Sequence, residues 1–131
     1  AWHVEFIGPD GGAAQPQCRQ LRLDAGGVLQ LLRWTPGSPP AEGTRGQTLA
    51  SGVVAPGGAV PAPFERQLAG SRPYASAAAP GADFTPDYQR LRVRLSTTAG
   101  TGVTTSDITF TALSTSRDTP DTNACREGRP S

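Results

Sequence analysis

A chain of 131 residues with 16 Gly, 13 Pro and a net charge of +1 is long enough for one domain with a core and too short for two comfortable ones. So many helix breakers exclude a helical bundle, and so small a net charge excludes strong whole-molecule attraction to nucleic acid or an anionic membrane. All twelve basic residues are Arg, and without Lys neither Schiff-base chemistry nor a P-loop lysine is available.

The chain also lacks Met and is rich in Ala, Gly and Pro, which reads as GC-rich coding and a heat-tolerant source. It begins Ala-Trp-His, so it reads as processed or trimmed. No run of about 18 apolar residues predicts a membrane-spanning helix within residues 1–131.

Trp2 to Ile7 alternates large apolar and polar side chains and predicts a strand, ended by Gly8-Pro9-Asp10-Gly11-Gly12. His3 lies opposite Trp2, Val4 and Phe6 and is expected to face solvent. A second strand spans 18–24. Asp24-Ala25-Gly26-Gly27 turns it into a third over 27–34, making a hairpin. Thr35 to Gly46 carries three Pro and three Gly and must be loop. A short strand is expected over 47–54.

Residues 55–87 contain six Pro, which prohibit a long helix or a central strand. They read as an irregular excursion, with little helix or helix confined to 62–70, and an Ala-rich run from Ala75 to Ala82. Two clear strands follow, 89–97 and 107–114, joined by a Gly- and Thr-rich connection. In the first, Leu91, Val93 and Leu95 alternate with Arg90, Arg92 and Arg94. That period of two predicts an apolar face buried and an Arg/Thr face in water. Residues 116–131 form a polar, irregular tail. The fold class is therefore mainly β, with antiparallel sheets and long Pro/Gly-rich loops in a single domain.

Cys18 and Cys125 are too far apart for a CxxC knuckle or redox motif. They read as a disulfide closing a loop of roughly 100 residues, worth about 4 to 5 kcal/mol by chain entropy. Two buried free thiols are the alternative. The bridge would pin the polar tail and place the domain outside the cytosol.

The remaining residues offer little chemistry. No Ser has a GxSxG context for the lone His3, and one His with two distant Cys cannot make a zinc set. Asp118, Asp121 and Asn123 cluster oxygen donors as calcium loops do, without EF-hand spacing, and also read as turn residues beside Pro120. Arg90, Arg92 and Arg94 are candidate contacts for nucleic acid or a partner, with Arg19, Arg22 and Arg33 as further members of a basic patch. Against that, no aromatic residue interleaves to stack bases, and cross-strand acids would pair such Arg. The chain is read as non-enzymatic and without cofactor. A carboxylate-pair glycosidase is the one chemistry left open.

Three segments in order carry a resemblance. Leu29-Leu31-Leu32-Arg33-Trp34 is followed by a polar loop and Thr48-Leu49-Ala50-Ser51-Gly52-Val53. After the irregular middle come Tyr88 to Leu95 and Ile108 to Leu113. This order resembles the soluble domain of minor type IV pilins and of the J-type pseudopilins of type II secretion. The resemblance implies a pilin-like α+β fold whose N-terminal helix is missing from residues 1–131. It implies a cell-envelope protein held in the membrane by that helix, with a β headgroup contacting sister pilin or pseudopilin subunits. DNA uptake or adhesion would be its work. Glu5 sits in a strand before Gly8-Pro9 and does not take the role of the family's early Glu. A secreted carbohydrate-binding or adhesive β-sandwich module is the alternative, with Trp2, Trp34, Tyr74 or Tyr88 as its aromatic platform.

Overall fold

The computed structural model describes residues 2–8, 16–57, 62–69, 88–116 and 124–129. It is mainly β, with antiparallel sheets. The chain divides into two compact units, one of residues 1–53 and 122–131, the other of residues 54–121.

The first unit is a four-stranded antiparallel meander. Strands β1 (Trp2–Gly8), β2 (Gln17–Leu23), β3 (Leu29–Trp34) and β4 (Gln47–Ala50) lie side by side in chain order. The β2–β3 turn is built by Asp24, whose Oδ1 accepts from the Val28 N–H at 2.9 Å while its C=O accepts from Gly27 N–H at 3.1 Å. Gly27 has a φ of 75°, a left-handed conformation that glycine adopts without Cβ strain. A Cβ there would also lie 2.7 Å from Val53 O. A 3-10 helix, Ala124–Gly128, packs on β1 and β2. The Cys18–Cys125 disulfide, with Cα atoms 5.5 Å apart, ties it to β2.

The second unit is built on a long hairpin, β7 (Tyr88–Ala99) and β8 (Gly102–Ser116). The strand β6 (Phe64–Gln67) also pairs with β7, and the two-residue β5 (Val53–Val54) falls at the boundary of the two units. Segment 64–67 is thus a strand, where the sequence suggested at most one or two helical turns. Phe64, Glu65, Arg66 and Gln67 alternate in their facing, and their backbone completes the outer edge of β7 from Arg90 to Val93. The expected strand over 47–54 breaks into β4 and β5 at Gly52, whose φ is 69°. The connection read between 97 and 107 is almost wholly strand, because the turn uses only Gly100 and Thr101. The Ala-rich run 75–82 lies outside the described residues, as does most of the excursion. Of the tail, only 124–129 is described beyond Ser116, and it holds the 3-10 helix.

Candidate functional site

Strand alternation gives each sheet an apolar and a polar face, and in both units the burial differs from the sequence expectation. In the first unit, register places His3, Glu5 and Ile7 on one face with Cys18, Gln20 and Arg22, and with Gln30, Leu32 and Trp34. This is the face the 3-10 helix covers. Cys18, Leu32, Trp34 and Cys125 form its apolar core. Trp2, Val4 and Phe6 occupy the opposite face, and Trp2 is 42% exposed. His3 therefore lies on the covered side, half-buried beside Glu5 at 3.6 Å. The expectation that it faces solvent is corrected. Cys18 is the cause: the disulfide draws the helix onto whichever face Cys18 occupies, and His3 shares that face.

Burying so polar a face requires that its groups be satisfied within it. Gln20 is fully buried. Its amide nitrogen donates to Glu5 Oε1 at 3.1 Å and to the Gly128 C=O at 3.0 Å. Its carbonyl oxygen accepts from Arg22 Nε at 3.1 Å and Nη2 at 2.8 Å. Arg129 Nε donates to the other oxygen of Glu5 at 3.0 Å. At the opposite end of the helix's footprint, Glu127 Oε1 accepts from the Trp34 indole N–H at 3.0 Å and from Gly37 N–H at 2.7 Å. Gly128 sits against the Trp34 ring so closely that a Cβ would lie 2.5 Å from Cζ2. The sequence pattern singles out none of Gln20, Glu127 and Arg129, and gives Glu5 no part in packing. The parity of Cys18 on its strand was the signal that could have found Glu5 and Gln20.

In the second unit, Arg90, Arg92 and Arg94 do share one face of β7, opposite Thr111, Thr109 and Asp107 on β8. Arg92 makes a bidentate pair with Asp107, at 2.9 Å from Nε and 2.7 Å from Nη2, and lies 3.9 Å from Glu65. The Arg92 guanidinium, bonded to its carboxylate, holds Asp107 below the usual carboxylate range. Arg94 Nη2 donates to the Ala62 C=O at 3.3 Å. Gln67 and Ser96 on this face are buried, where a solvated Arg face had been expected. Arg92 lies along the sheet with only 22% of its side chain exposed, and arginine stems laid down this way cover short polar neighbours.

The other face of the hairpin carries Leu91, Val93 and Leu95 with Phe64, Ile108 and Phe110. Leu91, Val93 and Leu95 are half-buried rather than buried, and Ile108 and Phe110 are 51% and 55% exposed. The second unit thus presents a contiguous apolar strip on an open sheet face.

Of the other candidates, Arg19 and Arg33 are cross-strand neighbours, while Arg22 lies on the opposite face of that sheet. Tyr88 is exposed and Trp34 buried. Asp118, Asp121, Asn123 and Tyr74 lie outside the described residues. Among the described residues, no group of three or more His, Cys, Asp or Glu is placed to hold a metal ion, and no helix is long and apolar enough to cross a membrane. No protein-family model, curated protein or solved structure matches the chain.

Proposed function

We propose that this chain is a non-enzymatic assembly subunit that works through its surfaces, as the headgroup of a minor type IV pilin or of a type II secretion pseudopilin. The observation that supports this most is the open apolar strip of Phe64, Leu91, Val93, Leu95, Ile108 and Phe110. An exposed contiguous apolar patch marks a surface that meets a partner. The disulfide favours the periplasm or the cell exterior, where such bonds persist. The Arg row is read as structural rather than as a nucleic-acid site, because Arg92 already satisfies Asp107.

The residues encoded before Ala1 test the proposal. A stretch of about 20 apolar residues behind a short basic leader with a prepilin-type cleavage site is the expected result. A secretory signal peptide ending just before Ala1 would overturn it. It would promote the carbohydrate-binding alternative, for which exposed Trp2 and Phe6 on one strand face are the favourable observation and buried Trp34 the unfavourable one. Quenching of Trp2 fluorescence by an oligosaccharide series separates the two.

A further inference from the structure

We infer that the outer edge of β8 is a pairing edge for a second copy of this chain, in an antiparallel register that sets Thr109 opposite Thr109. Among the described residues only β7 pairs with β8, and every residue from Val103 to Thr111 is exposed.

The backbone groups that face outward follow from the turn. Gly100 has a φ of 62° and Thr101 has none of the positive φ that a type I′ turn would need. That is the two-residue type II′ hairpin, with Gly in its first central position. Its flanking residues, Ala99 and Gly102, exchange hydrogen bonds with each other. Alternation then turns the N–H and C=O of Val103, Thr105, Asp107, Thr109 and Thr111 away from β7. The far side of β7 agrees independently. Arg94 N–H points away from β8, donating to the Pro63 C=O at 2.8 Å, and its cross-strand partner is Asp107.

Proteins protect long edges with Pro, Lys, bulges or inward charges. Residues 103–111 contain none of the first two, and the register shift in this hairpin falls at Tyr88/Gln89, outside them. Their single charge, Asp107, is bonded to Arg92 of the same chain. The segment is rich in Thr, Val, Ile and Phe, which suit a strand.

Self-pairing has a preferred register. Centring on Asp107 would set two carboxylates face to face, which is unfavourable. Centring on Thr109 sets Asp107 against Thr111 and Ile108 against Phe110 of the second copy. The second contact falls at a non-hydrogen-bonded position, where side chains approach closest. A two-fold axis through the Thr109 pair also joins the two apolar strips into one face. The pairing does not depend on the headgroup reading, since it follows from the strand itself. A monomeric edge would leave the test on the upstream residues untouched.

Engineered cysteines report the register, because both native cysteines are already bonded. Hydrogen-bonded partners across antiparallel strands have Cα atoms about 5.5 Å apart, within disulfide range. Thr109→Cys is expected to give a disulfide-linked dimer under mild oxidation, at least about tenfold more readily than Thr105→Cys, whose thiol meets no copy of itself in this register. Thr109→Pro removes an outward N–H without costing the β7 ladder a bond. It should abolish the concentration-dependent dimer in sedimentation of the otherwise unaltered chain while leaving the circular dichroism spectrum intact. Equal cross-linking at 105 and 109, a chain monomeric at every concentration, or a dimer that survives Thr109→Pro would each overturn the inference.

Discussion

Replacing Gln20 by Leu should destabilise the first unit, although it exchanges a polar for an apolar side chain at a fully buried position. Gln20 uses both ends of its amide. Its loss strips a donor from the buried Gly128 carbonyl and from Glu5, whose side chain is 2% exposed, and an acceptor from Arg22. Each buried group left unsatisfied costs about 1 to 3 kcal/mol. Arg22 is only half-buried, so water replaces much of what it loses. Two fully buried losses therefore amount to about 2 to 6 kcal/mol, and the added apolar burial offsets about 1 to 2 kcal/mol of that. The middle of these ranges leaves a net loss of about 2.5 kcal/mol, large beside a typical domain stability of about 5 to 15 kcal/mol. Urea unfolding followed by Trp34 fluorescence, with the disulfide intact, reads it directly, since Trp34 lies buried against the 3-10 helix. A Gln20→Leu protein as stable as the original would show that water reaches this face and that the helix does not seal it.

Gly128→Ala should cost about 1 to 3 kcal/mol by overpacking, because its Cβ would meet the Trp34 ring at 2.5 Å; a shifted Trp34 emission maximum in the native state is the check. Alkylation of the native protein should find no free thiol. Reducing Cys18–Cys125, which spans 107 residues, should remove about 4 to 5 kcal/mol by the chain-entropy argument, seen as a lower urea midpoint under reducing conditions. The depressed Asp107 carboxyl contributes stability that is present above its ordinary value of 3.8 and lost as pH falls through the lower folded value. Because Asp107 is 44% exposed in its side chain, that contribution should stay below about 1 kcal/mol. Asp107→Asn should flatten the acid limb of hairpin stability below pH 3.8, and an unchanged acid limb would refute the pairing.

The local features were legible because each rests on short-range chemistry. Alternation from Gln89 to Thr97 and from Trp2 to Ile7 predicted strands, since a period of two is a property of the extended backbone. Asp24-Ala25-Gly26-Gly27 predicted its turn because an Asp carboxylate and a left-handed Gly make one. The segment 64–67 is not legible in the sequence for the opposite reason. A four-residue piece bounded by Pro has no preference strong enough to decide between helix and strand, and the vacant edge of β7 decided it. Gly100-Thr101 looked like part of a long loop because nothing local distinguishes a two-residue turn from the Thr-rich strands beside it.

Alternation separates two faces and is silent on which one is covered. Hydrophobicity ranked Trp2, Val4 and Phe6 inward, and Leu91, Val93 and Leu95 likewise. In the first unit the long-range bond from Cys18 to Cys125 brings a helix onto the polar side, while on the apolar side Leu23 and Leu29 are buried and Trp2 and Phe6 exposed. On the polar side Gln20, Glu5, Arg22 and Arg129 satisfy one another, so that burying them is not prohibitive. In the second unit Arg92 lies down against Asp107 and the apolar strip stays open. Strands and turns belong to the sequence because they depend on neighbours along the chain. The choice of the dry face, and with it the surface left open, belongs to tertiary structure, because it depends on contacts between separate strands: Cys18 with Cys125 across 107 positions in the first unit, Arg92 with Asp107 and Arg94 with Ala62 across 15 and 32 in the second.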